Sequence, residues 1–328
     1  IADRPRHDEA MARLAADSAL LKMGHAEDEH GRPLEGVSLA AYLDRIRAPQ
    51  STRDWISAWW ALSGNGDKRR SRASEFLHSC AHDDCTPDGI ANPWADSLEG
   101  GVNELCRRMI EASGVRLLLE TPVERIEHGP DGVTAHTASG TFRARGALVA
   151  SGINPLGRIA FSPPLPQPKA DALALGHLGR AVKVWAKVRG VPVGTLATGG
   201  GRGIEWMFSE RSSPDGATML VGFGVADEGF NADQVEDETR SAVARFFPEA
   251  ELVAIDRHDW NNDPHSLGAW LAPPLEGEAG LDHENWMPAG RLAFASSDIA
   301  SENAGWFDGA VVSGEEAAAA LARVLGRN

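Results

Sequence analysis

Hydrophobic and polar positions along this chain change their period several times. From Asp8 to about Trp94 the pattern is helical, with Met11, Leu14, Ala15 and Ser18 leading into Leu20–Met23. Ser38 stands where it would cap a helix over Leu39–Arg45, and Thr52–Ser63 puts Trp55, Trp59, Trp60 and Leu62 near one broad face. Pro49, Gly64–Gly66 and Pro87–Gly89 separate these helices. After Gly100–Gly101, Val102, Leu105, Cys106, Met109 and Ile110 recur at i, i+3, i+4, i+7 and i+8, an amphipathic helix, with Gly114 at its C-terminal cap. Val115–Glu120 reads as a buried strand. Val123–His128, Val133–Thr137 and Thr141–Arg145 form a meander around turns at Pro130–Gly132 and Gly140, and Ala147–Ser151 is a second apolar strand.

The stretch from Asn154 to about His283 is mixed. Pro163–Pro166 breaks the chain, Ala172–Leu178 is helical, and Ala181–Val188, Ile204–Glu210 and Met219–Phe223 read as strands. Gln234–Phe247 is a helix stopped by Pro248. Leu292–Ala295 is a last apolar strand, and a final helix runs from about Phe307 to Leu325, closed by Gly326. This order predicts an α/β fold of mixed α+β character, in which two domains exchange the chain several times rather than following one another.

At 328 residues there is chain for about two domains. A net charge of −15 repels phosphate backbones and anionic lipid, so neither nucleic acid nor membrane is an expected partner. Three cysteines make no even disulfide framework, and no apolar run approaches the roughly 20 residues that span a bilayer, so a cytoplasmic location is expected. The opening at Ile1 resembles neither a signal peptide nor an initiator, and reads as the start of a fragment or of a processed or split chain.

No G-x-G-x-x-G occurs. Gly199–Gly203 is glycine-rich but leads into a strand, offers no helix N-terminus for a pyrophosphate, and reads as a hairpin loop. His78, His82 and Cys85 fall on one helical face, so a zinc site is conceivable, but no second Cys/His cluster accompanies them and none is expected. The C-terminal segment is more informative. A strand from Leu292 ends in small residues and Asp298, then Gly305-Trp306-Phe307-Asp308-Gly309-Ala310 opens a helix. Such a unit suits a ligand with hydroxyls and a polar ring. Asp298 would accept hydrogen bonds, and amides at the helix start would face accumulating electron density.

This segment resembles the C-terminal flavin signature of the flavin-containing monoamine oxidase family. Other pieces are similar in the same order: Gly100–Leu105 with Leu118–Ile126, Asp131–Gly140, Ala147–Pro166, Arg180–Val184 and Asp263–Trp270. The resemblance extends from about Ser38 to Leu325. It implies a two-domain FAD-dependent fold with a discontinuous and incomplete FAD domain at 96–155 and 284–328. A substrate domain takes 1–95 for its helical part and 156–283 for its sheet part. The family's N-terminal strand, G-x-G-x-x-G and helix are absent, about 80–100 residues by comparison with a dinucleotide-binding half. Either the chain is an incomplete copy of a longer protein or a separate chain supplies that half.

The resemblance carries roles to individual residues. Val123 matches a backbone contact to adenine, and Ala150, Ser151 and Gly152 end a strand approaching the cofactor. Lys183 matches the lysine that holds a water near flavin N5. Ser297, Asp298, Trp306 and Phe307 match ribityl and isoalloxazine contacts, and Trp270 and Trp306 match the aromatic pair in front of the flavin. Lys183, Trp270 and Trp306 are thus the implied catalytic residues, with FAD as cofactor and a small-molecule amine as substrate. The implied reaction oxidises a C–N bond, passes hydride to flavin N5 and is completed by O₂. The alternatives are a related flavin C–C desaturase and a non-catalytic truncated or accessory subunit.

Overall fold

Strict alternation between Ala181 and Arg189 builds the centre of the molecule. In the computed structural model, which describes residues 3–64, 68–69, 71–82, 98–199, 203–226, 232–272 and 281–326, this segment is the second strand of a five-stranded sheet. Numbering strands and helices along the chain, the helical N-terminal region holds α1 (Arg4–Lys22), α2 (Leu39–Arg45), α3 (Gln50–Ser63) and α4 (Ala73–His82). Ser38 caps α2 as expected, its Oγ accepting the Ala41 amide at 3.2 Å.

The five-stranded sheet has the order β10-β6-β9-β8-β7, with β6 (Ala181–Arg189), β7 (Leu196–Thr198), β8 (Ile204–Ser212), β9 (Thr218–Val225) and β10 (Glu251–Arg257), all neighbours antiparallel. Because side chains alternate between faces, Val182, Val184, Ala186 and Val188 enter one apolar cluster with Ile204, Met207 and Leu220, covered by the helix α8 (Val235–Phe246). Lys183 and Trp185 stand on the other face. There Trp206, Val221 and Phe223 join the core of α1–α4, which includes Trp59, Trp60 and Phe76 in edge-to-face contact. Gly222 has no side chain because a Cβ would come within 2.8 Å of Val184 Cγ2 and 2.9 Å of Ile204 Cγ2.

The remaining strands form two smaller sheets. Strands β1 (Val123–Gly129), β2 (Gly132–Thr137) and β3 (Gly140–Ala144) make the expected meander, and β5 (Ala160–Ser162) lies parallel to β1. Strands β4 (Ala147–Ala150) and β11 (Leu292–Ala295) pair in parallel and are covered by the last helix, α9 (Phe307–Val324). Between them the chain forms α6 (Ile153–Leu156) and α7 (Gln167–Leu175). Leu156, Ala172, Trp286 and Phe294 share an apolar cluster with β1.

Two expectations are not met. Helix α7 begins at Gln167 and stops at Leu175, where Gly176 takes a positive φ of 65°, short of the expected Leu178. Helix α5 (Gly101–Ser113) forms and ends at Gly114 in a left-handed conformation, but it buries none of its residues. Val115–Glu120 forms no strand; Leu117 and Leu119 are exposed. A strand needs a neighbour for its backbone groups, and no described strand lies beside this segment. The helix and the segment after it therefore leave apolar side chains exposed: Val102, Leu105, Met109, Val115, Leu117, Leu118 and Leu119.

Candidate active site

Beside the Lys183 face of the five-stranded sheet lies a cavity of about 880 Å³, closed on its other side by the turn after β4 and the turn after β11. Lys183 reaches it from the middle of β6. Its Nζ lies 5.7 Å from the Trp185 ring centroid and 5.6 Å from that of Phe223. Burial pushes the ammonium pKa below its ordinary value, while the charge of Glu210 works in the opposite direction. Trp270, partly buried against Phe223 at 6.1 Å, lines the same cavity.

The polar wall comes from Ser296–Asp298 and Gly152. Ser296 caps the short turn after β11, accepting the Asp298 amide at 3.2 Å, and its own amide donates to Ser313 Oγ at 3.1 Å. Asp298 is buried; one carboxylate oxygen accepts the Ile153 amide at 2.9 Å and the other accepts Ser297 Oγ at 3.3 Å. The carboxylate thus binds the ends of β4 and β11 together, as well as bordering the cavity. Gly152 approaches it so closely that a Cβ would sit 3.3 Å from Asp298 Oδ2.

Lys183, Trp270, Gly152, Ser297 and Asp298 therefore converge. The other expected residues lie elsewhere. Val123 is half-buried at the start of β1, in the apolar cluster of the meander. Ala150 is exposed at the end of β4, and Ser151 donates to the Gly152 carbonyl at 3.3 Å. Trp306 is 57% exposed at the cap of α9 and Phe307 49% exposed, and neither lines the cavity. Their loop does abut the Trp270 segment, since a Cβ on Gly305 would lie 3.1 Å from Leu271 Cβ.

Among the lining residues that escape the sequence reading are His177, Trp185, Asp256, Arg257, His258 and Trp260. His177 is buried, and its Nδ1 accepts the Gly179 amide at 3.0 Å, which assigns the proton of the neutral ring to Nε2. Burial lowers its pKa and the Asp298 charge raises it. Its segment is tied to both neighbours by Asn154, whose Nδ2 donates to Leu267 O at 2.9 Å and His177 O at 3.3 Å while Oδ1 accepts the His177 amide at 2.9 Å. The only local signal is the pair of glycines flanking the histidine, Gly176 and Gly179.

A cavity with tryptophan side chains on one side, a serine–aspartate turn on the other, a buried carboxylate and a glycine at its closest approach has the donors, acceptors and ring surfaces that the ring and ribityl part of a flavin would use. Among the described residues no group of three His, Cys, Asp or Glu could hold a metal. Cys85 and the side chain of His82, two of the zinc candidates, lie outside them. No helix of the described residues is long and apolar enough to cross a membrane.

Residues 2–322 match the sequence profile of the flavin containing amine oxidoreductases, and the chain belongs to that family. It is 29% identical over 321 residues to (S)-6-hydroxynicotine oxidase of Paenarthrobacter nicotinovorans, covering 95% of this chain and 74% of that protein. It is 26% identical to pseudooxynicotine dehydrogenase of a Pseudomonas species, covering 90% of this chain and 60% of that protein. Among solved structures, putrescine oxidase shares the fold with a TM-score of 0.80 at 23% identity, covering 99% of this chain and 76% of that one. Cyclohexylamine oxidase from Brevibacterium oxydans has a TM-score of 0.76 at 22% identity, covering 98% and 76%. The fold is thus that of the FAD-dependent amine oxidases, and the protein is a FAD-dependent oxidoreductase.

Proposed function

We propose that the enzyme oxidises the carbon–nitrogen bond of a small-molecule amine to an imine, which water then hydrolyses, with O₂ as final electron acceptor. The observation that carries this is the convergence of Lys183, Trp270 and the Ser297–Asp298 turn on one cavity in a flavin amine oxidoreductase. FAD, when bound, supplies the two-electron acceptor that takes hydride from the carbon next to nitrogen. The protein's part is orientation, exclusion of water and control of protons. Trp270 offers an indole face along which an amine is guided, in its cationic form by attraction to the ring and in its neutral form by contact. Lys183, held partly desolvated, keeps an amine proton or a water beside the reacting atoms. Asp298 fixes the turn that borders the cofactor. Trp306 is the candidate for the second aromatic face, and Val123, Ala150, Ser151 and Phe307 are candidate backbone or ring contacts along the rest of the cofactor.

On this reading a dinucleotide-binding half, as a further segment of the protein or a separate chain, completes the site. The exposed apolar side chains of α5 and residues 115–119 support this, because so many large apolar side chains left in water on one segment suit a place where another structural layer sits. The 328 residues and the complete protein should each be titrated with FAD and followed by visible absorbance, then mixed anaerobically with amines. The expected result is flavin bound by the complete protein, bleached by an amine, with imine or ammonia released. Bleaching with formation of a C=C bond would make it a desaturase. A complete protein without flavin absorbance would sink the enzymatic reading.

A further inference from the structure

We propose that His177 is a cofactor-binding residue, its Nε2–H donating to a hydroxyl of the flavin's ribityl chain that in turn donates to Asp298. The inference rests on the flavin occupying the cavity beside Lys183, as proposed above. Both side chains are buried and both line that cavity. Consecutive residues bring them together. The Ile153 amide donates to Asp298 Oδ2 at 2.9 Å, and the Asn154 side chain bonds the amide and the carbonyl of His177 at 2.9 and 3.3 Å. The imidazole also packs against the segment that carries Trp270, since a Cβ on Gly268 would stand 3.1 Å from His177 Cε1.

The hydrogen bonds already made decide what the pair can hold. Nδ1 accepts the Gly179 amide at 3.0 Å, a bond that a proton on Nδ1 would break, so Nε2–H is the one donor of the neutral ring. Burial favours that neutral form over the imidazolium. Among the described residues nothing accepts the Nε2 proton. Asp298 is the complement: its two oxygens accept from Ile153 and Ser297 and keep further lone pairs. An N–H donor and a carboxylate side by side select a group that both accepts and donates. A phosphate oxygen would accept from His177 but be repelled by Asp298, and an ammonium would suit Asp298 but has no lone pair to offer His177. A hydroxyl does both. The flavin carries a row of hydroxyls on its ribityl chain, next to the ring that Lys183 and Trp270 are placed to meet.

The test measures flavin affinity directly, by titrating the flavin-free form of the complete protein and following the visible flavin bands. His177→Asn keeps an acceptor for the Gly179 amide, since its side-chain oxygen stands where Nδ1 stood, but it is too short to replace Nε2–H. It should weaken FAD binding by about ten-fold, as the loss of one buried hydrogen bond does. FAD analogues lacking the 2′-, 3′- or 4′-hydroxyl of the ribityl chain give a second measurement that needs no variant. One of them should bind the parent protein about ten-fold more weakly than FAD, and His177→Asn should weaken that analogue little further. Equal affinity of the parent for FAD and all three analogues overturns the inference, and so does a His177→Asn loss as large for that analogue as for FAD. Asp298→Asn separates this from the placement of the flavin. If it weakens FAD binding while His177→Asn does not, His177 is no ligand and the cavity stays the flavin site; if neither variant weakens it, the flavin lies elsewhere and both readings fall.

Discussion

Replacing Asn154 by alanine should loosen the joint between the three segments that frame the cavity. The side chain makes three hydrogen bonds at 2.9, 2.9 and 3.3 Å, to the amide and carbonyl of His177 and to the carbonyl of Leu267. Alanine removes all three and takes these partners from the half-buried backbone groups of His177 and Leu267. At about 0.5–1.5 kcal/mol for each bond, and more where a partner is left unsatisfied, the loss is about 2–4 kcal/mol. The nearby glycines leave no route to compensation: a Cβ on Gly176 would lie 2.5 Å from Asn154 Oδ1, and one on Gly268 2.9 Å from its Nδ2. Urea denaturation followed by tryptophan fluorescence measures the change, with the slope against denaturant checked for constancy. Asn154→Asp is the sharper variant. It keeps an acceptor for the His177 amide but turns an oxygen toward two carbonyls, so it should be at least as damaging at pH 7.5 and partly recover in mild acid. If both variants stay within about 0.5 kcal/mol of the parent, the network does not hold the segments together and the reasoning fails.

Three further outcomes follow from the packing and the charges. Gly222→Ala should destabilise by about 1–3 kcal/mol in the same assay, because its Cβ would press on three side chains of the β-sheet core. His177 has its pKa held below its ordinary 6.5 by burial, so below that pH the unfolded chain takes up the proton first and stability falls; in His177→Gln, which keeps an acceptor for the Gly179 amide, the fall in urea midpoint between pH 7.5 and 5.5 should be smaller. Burial pushes Glu75 up to about 7 against the pull of Arg72, so the unfolded chain releases that proton earlier and stability declines as pH rises from the usual carboxylate range to about 7. Glu75→Gln should therefore raise the urea midpoint at pH 8 and leave it nearly unchanged near pH 4.

Much of the architecture was legible where one face of an element meets a core. The alternation of Ala181–Val188, the apolar run Leu292–Ala295 and the capped helices α2 and α9 all form where their patterns place them. Strand β10 was not legible: a bulge between Leu252 and Ala254 breaks its alternation, and as the edge of its sheet it keeps several residues in water. Val115–Glu120 shows the converse limit, since apolar residues in sequence identify what can be buried and not what is available to bury it. For the site, motifs singled out Lys183, Trp270, Gly152, Ser297 and Asp298, which line one cavity, and also Val123, Ala150, Ser151, Trp306 and Phe307, which do not line it. His177, Trp185 and Trp260 were missed because their only mark is convergence on a cavity, which separations of many residues conceal.

The two faces of β6 also divide the labour of future change. Substituting Lys183 or Trp185 alters what meets the ligand, while Val182, Val184, Ala186 and Val188 anchor the strand on the far side. A single inserted residue within the strand would exchange these sets, driving an ammonium into the hydrocarbon beneath α8 and a valine into the cavity. On this strand, variants sought to change what the cavity holds can therefore be drawn from positions 183 and 185, with thermal tolerance largely inherited from the even-numbered ones.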